Sequence, residues 1–152
     1  MKVDFLNQYK DPYLQTAQGK GVFLAGVLLG YLALKQVEGK QSDIGKAPLF
    51  KQIQFGRLNF KTLKRHLARV PQLLAAYREN IGDSYASLTR LLAYCTDQIA
   101  LGDSEELGTD GNFAFTVGFT NANDFYWKIF GRKERNQSSD GKESAGKGPA
   151  EG

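Results

Sequence analysis

Residues 21–34 read "GVFLAGVLLGYLAL", an apolar run closed at its ends by Lys20 and Lys35. Where this run goes decides the fold. A helix crossing a membrane needs about 20 apolar residues in succession, and this run falls short. A helix over 20–38 is apolar nearly all round, so it has no face for water and belongs at the centre of a bundle. Gly26 and Gly30 stand four apart on one side of it. Each lowers helix propensity by roughly 1 kcal/mol against Ala, and together they leave a strip on which another helix can come close.

The clearest periodicity lies further along. Phe60, Leu63, Leu67, Val70, Leu74, Tyr77 and Ile81 follow alternating steps of three and four, one apolar stripe on one helix face. Pro71 lies inside that stripe and predicts a kink or a split at Val70. Before it, residues 2–18 hold one or two weak helical turns around Val3, Phe5 and Leu6, broken at Pro12. Residues 39–46 read as a loop, and a short helix over about 47–55 can start at Pro48. After it, Ser84 or Asp83 can cap a helix over 84–100 that turns Leu88, Leu91, Leu92, Cys95 and Ile99 inward. Residues 102–112 read as an acidic loop. In "FAFTVGFT" (113–120) the aromatic residues alternate as in a strand but also suit a helix face. A lone strand finds no partner in this chain, so 112–132 is expected to be helical. From 136 onward no large apolar residue occurs, and 136–152 is expected to be a disordered tail. The expectation is an all-α fold, a compact bundle of about five helices over 1–135.

One cysteine, Cys95, permits no internal disulfide and reads as a small buried hydrophobe, in keeping with a reducing compartment. The start, "MKVDFLNQYK", lacks the apolar core of a secretory signal. A soluble, cytoplasmic protein without a membrane partner is expected.

Net charge is only +4, yet the charges are segregated. Between Asp43 and Glu79 there are eight basic residues and no acid. The stretch 91–127 carries Asp97, Asp103, Glu105, Glu106, Asp110 and Asp124 with no Lys or Arg. A second basic group, Lys128, Arg132, Lys133 and Arg135, follows. Within 57–70, "RLNFKTLKRHLARV", Lys61, Lys64, Arg65 and Arg69 fall opposite the apolar stripe. Solvated helices usually mix signs, since like charges at i,i+4 repel. Lys61, Arg65 and Arg69 form such a series with nothing to neutralise it. That arrangement becomes favourable when phosphates arrive and counterions leave. Neither Asn nor Gln flanks these arginines in the sequence and no recognition-helix turn precedes them, so charge points to non-specific contact with a nucleic-acid backbone.

Little catalysis can be built from this inventory. His66 is the one histidine and reads as a polar surface residue, not a catalytic base. No cluster has metal-ligand spacing, the acids of 102–110 lack a calcium-loop pattern, and "GKG" at 19–21 lacks the spacing of a phosphate loop. Phe125, Tyr126, Trp127 and Phe130 could stack bases, but aromatics at helical spacing usually belong to a core. Neither an enzyme nor a cofactor is expected.

Two segments, "GVFLAGVLLGYLALKQ" and "PLFKQIQFGRLNFKTLKRHLARVPQLLAAY", with the later "FAFTVGF", resemble the C-terminal region of the large subunit of type I-B CRISPR surveillance complexes. The resemblance covers roughly 20–133 and rests on a "Q-FG-L" pattern and apolar spacing. The small subunit of type I-D complexes is similar. In some of these systems the region is also made separately as a small subunit, and a chain that opens with Met1 looks like that product. The resemblance implies a non-catalytic helical subunit of the Cascade complex, present in several copies. Its implied partners are the large and backbone subunits, further copies of itself, the guide RNA–target DNA hybrid and the displaced non-target DNA strand. The basic positions that carry over are Lys46, Lys51, Arg57, Lys61, Lys64, Arg65 and Arg69. The acidic segment could meet a basic edge of the next copy. Two rival readings are a stand-alone DNA-binding regulator, which requires a recognition helix on a symmetric dimer, and a protein-interaction adaptor whose basic face meets an acidic partner.

Overall fold

A computed structural model describes residues 1–102 and 106–131. Among these residues the regular structure is entirely helical. The α-helices are α1 (Ala17–Gln36), α2 (Pro48–Gln52), α3 (Phe60–Ala68), α4 (Val70–Ala76), α5 (Arg78–Ile81), α6 (Tyr85–Ala100), α7 (Gly108–Thr120) and α8 (Ala122–Phe130). Tight 3-10 turns occupy Asp4–Gln8, Pro12–Gln15, Gln41–Lys46 and Gly82–Ser84.

Helix α1 is the axis of the bundle, with α6, α7 and α8 packed around it. Thr16 caps its start, the Oγ1 accepting from the Gly19 N–H at 2.9 Å, so "GKG" opens a helix. Every residue from Gly21 to Leu34 is buried. By length and apolarity α1 could cross a membrane, but 83% of its most apolar window is buried inside the bundle. Its apolar surface is therefore already covered by protein.

The glycine strip serves the close approach expected of it. A Cβ on Gly26 would collide with the Phe115 carbonyl, and one on Gly30 with the Phe119 carbonyl. The contact is mutual, because a Cβ on Gly118 would strike the carbonyl of Phe23. Here α1 and α7 touch backbone to backbone.

The stripe of 60–81 is buried as its spacing predicts, yet the helix carrying it is broken twice. Arg69 ends α3, Pro71 sits in the first turn of α4, and Tyr77 separates α4 from α5. Phe60, Leu63, Leu67, Val70, Leu74 and Ile81 are buried, and Tyr77 is half-buried. These breaks, with another at Asn121, cut the expected five helices into shorter segments. In α6, Leu88, Leu91, Cys95 and Ile99 are buried and Leu92 is half-buried. Ser84 precedes this helix but its side chain makes no cap bond. Its hydroxyl instead lies 3.3 Å from that of Tyr31.

The ambiguous 113–120 segment is helical. Phe115 and Phe119 are buried while Phe113 is 67% exposed, so the strand-like alternation is accidental. The expected loop 39–46 contains a 3-10 turn. Tyr126 is buried and stacked on Tyr31, with 3.9 Å between ring centroids, which makes it core. The tail expected over 136–152 lies outside the described residues, as do Asp103, Glu105, Arg132, Lys133 and Arg135.

Candidate nucleic-acid interface

The basic residues converge on α2, α3 and the turn between them, and that turn is built from the core outward. Phe55 points into the aromatic core, its ring 5.2 Å from Phe50, 5.0 Å from Phe119 and 6.2 Å from Phe115. Gly56 has φ of +81°, a left-handed conformation that costs other residues energy. It lets the chain reverse, and the Arg57 N–H donates to the Gln54 carbonyl at 3.0 Å. Asn112 of α7 then brackets Leu58. Its Oδ1 accepts from the Leu58 N–H at 2.8 Å and its Nδ2 donates to the Leu58 carbonyl at 3.0 Å. Asn59 caps α3 in a reciprocal box with Thr62, at 2.8 and 3.1 Å. The "Q-FG-L" pattern thus has a physical meaning: a turn with an aromatic plug, a left-handed glycine and a bracketed leucine.

Helix α3 buries Phe60, Leu63 and Leu67 and turns Lys61, Lys64 and Arg65 to solvent. Arg69 follows at its end, where Nη1 donates to Gln52 Oε1 at 3.1 Å and ties α3 to α2. Lys51 is exposed on α2, and Lys46 on the 3-10 turn before it. Lys46 is the exception among the seven expected positions, since its Nζ lies 3.5 Å from the Asp43 carboxylate. Among the described residues, no carboxylate comes within ion-pair distance of the other six. Cations elsewhere find aromatic faces: Arg78 sits over Tyr85, Arg90 over Phe130, Lys35 over Tyr31, and Lys128 over Phe5 and Phe125. Among the described residues, the α2–α3 cations have no such cover.

The face has two slopes. Lys64 borders an apolar groove of about 330 Å³ between α3 and α6, floored by Leu67, Leu92 and Ile99. On the other slope, Arg57, Arg65 and His66 surround a cavity of about 170 Å³ together with Gln52 and Gln54. The glutamines are not part of the basic face read from the sequence. None stands directly beside an arginine in sequence, but the turn at Phe55–Gly56 brings Gln52 and Gln54 into one cavity lining with Arg57 and Arg65. The left-handed glycine is the signal that could have found them. His66 is half-buried, and burial foremost, then the Arg69 and Arg65 guanidiniums, hold its pKa below the usual 6.5. The imidazole is therefore neutral at pH 7. At its far end the basic face meets the acidic connection, where Arg57 and Glu106 line the same cleft.

Burial pushes the Cys95 thiol up to about 12, which leaves it a poor nucleophile. Among the described residues, no three His, Cys, Asp or Glu side chains converge as metal ligands would. What the surface does offer is fixed positive charge, one neutral imidazole and two amides on a braced scaffold.

The fold and this face define a helical bundle with a one-sided cationic surface suited to a polyanion. Comparison with known families makes the placement specific. The chain belongs to the family of the CRISPR-associated protein TM1802 C-terminal domain, whose model matches residues 2–133. No curated protein matches it, and no solved structure does.

Proposed function

We propose that this chain acts as a non-catalytic small subunit of a type I-B CRISPR surveillance complex, present in several copies. In this reading its α2–α3 face holds nucleic-acid backbone and stabilises the displaced DNA strand. The observation that carries the reading is the set of six exposed cations, Lys51, Arg57, Lys61, Lys64, Arg65 and Arg69, held on a braced surface without carboxylate partners among the described residues. Membership in a CRISPR-associated family supports a nucleic-acid partner over an acidic protein.

The physical role follows from energetics. Replacing a DNA duplex by an RNA–DNA hybrid is nearly balanced, so modest backbone contacts tip it. A positive groove that retains the freed strand opposes its re-annealing. Several weak sites on one scaffold act together through effective concentration.

The experiment is target-DNA binding by the reconstituted complex across a salt series, with Lys61, Lys64, Arg65 and Arg69 changed together to Glu. The variant is expected to fold and assemble but to form the displaced-strand loop weakly. Its salt slope should be shallower by about 0.7 for each single-strand phosphate that is no longer neutralised. A variant that binds as well as the wild type sinks the reading.

A further inference from the structure

The cavity between Gln52, Gln54, Arg57, Arg65 and His66 holds more than a backbone clamp needs. Phosphate oxygens only accept hydrogen bonds, so cations alone suffice to hold them. Here two amides and an imidazole line the same recess. The amide oxygen of Gln54 and the unprotonated nitrogen of a neutral His66 are acceptors that a phosphate cannot use. Gln52 has its oxygen committed to Arg69, which leaves its amide N–H groups to donate. A ligand that complements this lining must present donors and acceptors side by side while carrying negative charge nearby. The edge of a nucleobase within a nucleotide strand has that chemistry.

Shape and stiffness agree with it. At about 170 Å³ the recess suits one small planar group and not a stacked run. Leu58 forms its floor, and Leu58 is the residue pinned by both hydrogen bonds of Asn112. Arg57 hangs from the turn plugged by Phe55, and Arg65 and His66 ride on the capped helix α3. The backbone of the site is therefore set before any ligand arrives, which lowers the cost of binding.

We propose that this recess is a pocket for one unstacked base of a single-stranded nucleic acid, with the neighbouring phosphates held by Arg57 and Arg65. The proposal rests on the backbone-binding reading above and deepens it. A duplex has its base edges paired and stacked, so the pocket favours single strands where charge alone favours the denser phosphates of a duplex.

The test compares the full chain binding to labelled oligothymidylate, to an abasic strand with the same number of phosphates, and to duplex DNA, by fluorescence anisotropy over a salt series. The thymidine strand is expected to bind about tenfold more tightly than the abasic strand. Gln54→Ala combined with His66→Ala should remove that advantage and leave the salt slope unchanged. His66, the only histidine, supplies a single imidazole proton signal by NMR. That signal should move with oligothymidylate or oligouridylate and stay in place with the abasic strand. Equal affinity for thymidine and abasic strands, with a steep salt slope, would overturn the pocket and leave the backbone reading standing. Absence of any salt-dependent binding would overturn both. Should the double variant fail to fold, the wild-type comparison of the two strands still decides.

Discussion

Two regions of this molecule are built on opposite rules. Where α1 meets α7, side chains are missing, and the fold depends on nothing standing at Gly26, Gly30 or Gly118. On the α2–α3 face, long charged side chains crowd together and carboxylate partners are missing among the described residues. The first region is governed by shape at sub-ångström tolerance, since backbones in contact cannot yield. The second is governed by charge over several ångströms, where one side chain can replace another. Substitutions at the first should therefore be read in stability, and substitutions at the second in affinity.

The largest effect tests the first rule. Gly26→Leu drives a side chain into the Phe115 carbonyl, and should cost about 3 kcal/mol or more. A urea melt followed by circular dichroism measures it, and an unchanged midpoint would mean that α1 and α7 do not touch as described. Asn112→Ala probes the join between the regions, because one side chain on α7 holds the turn carrying Arg57. Leaving the Leu58 N–H and carbonyl without their partner should cost about 1–3 kcal/mol. Single-strand affinity should fall with it, although no cation has been touched.

A smaller effect comes from His66. Its pKa is below the unfolded value, so the unfolded chain binds the proton more readily. Its contribution to stability is intact above pH 6.5 and declines as pH falls toward the folded value. A base edge that donates to the unprotonated nitrogen favours the neutral imidazole, so base binding should hold the pKa down and weaken as pH falls through this range. Titration of the imidazole signal with and without oligonucleotide checks both signs. Burial sets it first, then Arg69 just past the end of α3 and Arg65 within it; Arg57 lines the same cavity, with Gln52 and Gln54 neutral.

The smallest effect separates the two rules most cleanly. Arg65→Glu places an acid between Lys61 and Arg69 at i,i+4 spacing, and should raise stability by about 0.2–0.5 kcal/mol per pair while weakening nucleic-acid binding. A gain in thermal midpoint together with a loss of affinity is the expected pair of readings. A loss in both would show that Arg65 supports the fold.

The core is legible to the extent that it depends on spacing. The α1 run, the glycine strip and the 60–81 stripe are periodic features of consecutive residues, and they are buried as their periods require. The breaks at Arg69 and Tyr77 are harder to read. Pro71 announces one of them, while nothing in the residues around Tyr77 breaks helical spacing. The exposure of Phe113 is hidden because an alternating pattern and a helical one coincide over so few residues. The charged face is legible as composition, since like charges show in any order. Its pocket is not, because Gln54 comes to line one cavity with Arg65 only through a reversal set by one left-handed glycine and an asparagine on a distant helix. Lys46 misleads for the opposite reason: its acid lies three residues before it, just outside the acid-free window.

The contact between α1 and α7 also imposes an order in time. Synthesis delivers α1 before the helix that covers its glycine strip, which emerges near the end of the described fold. Until then the ribosome holds out an apolar segment that has length and composition enough to pass for a membrane span. Packing of α6 can cover one side of it, but the glycine strip stays open until α7 exists. The nascent chain must be shielded or kept from collapsing wrongly until α7 has been made. A message cut short before α7 would therefore yield a product sought by chaperones and proteases, not a smaller working bundle.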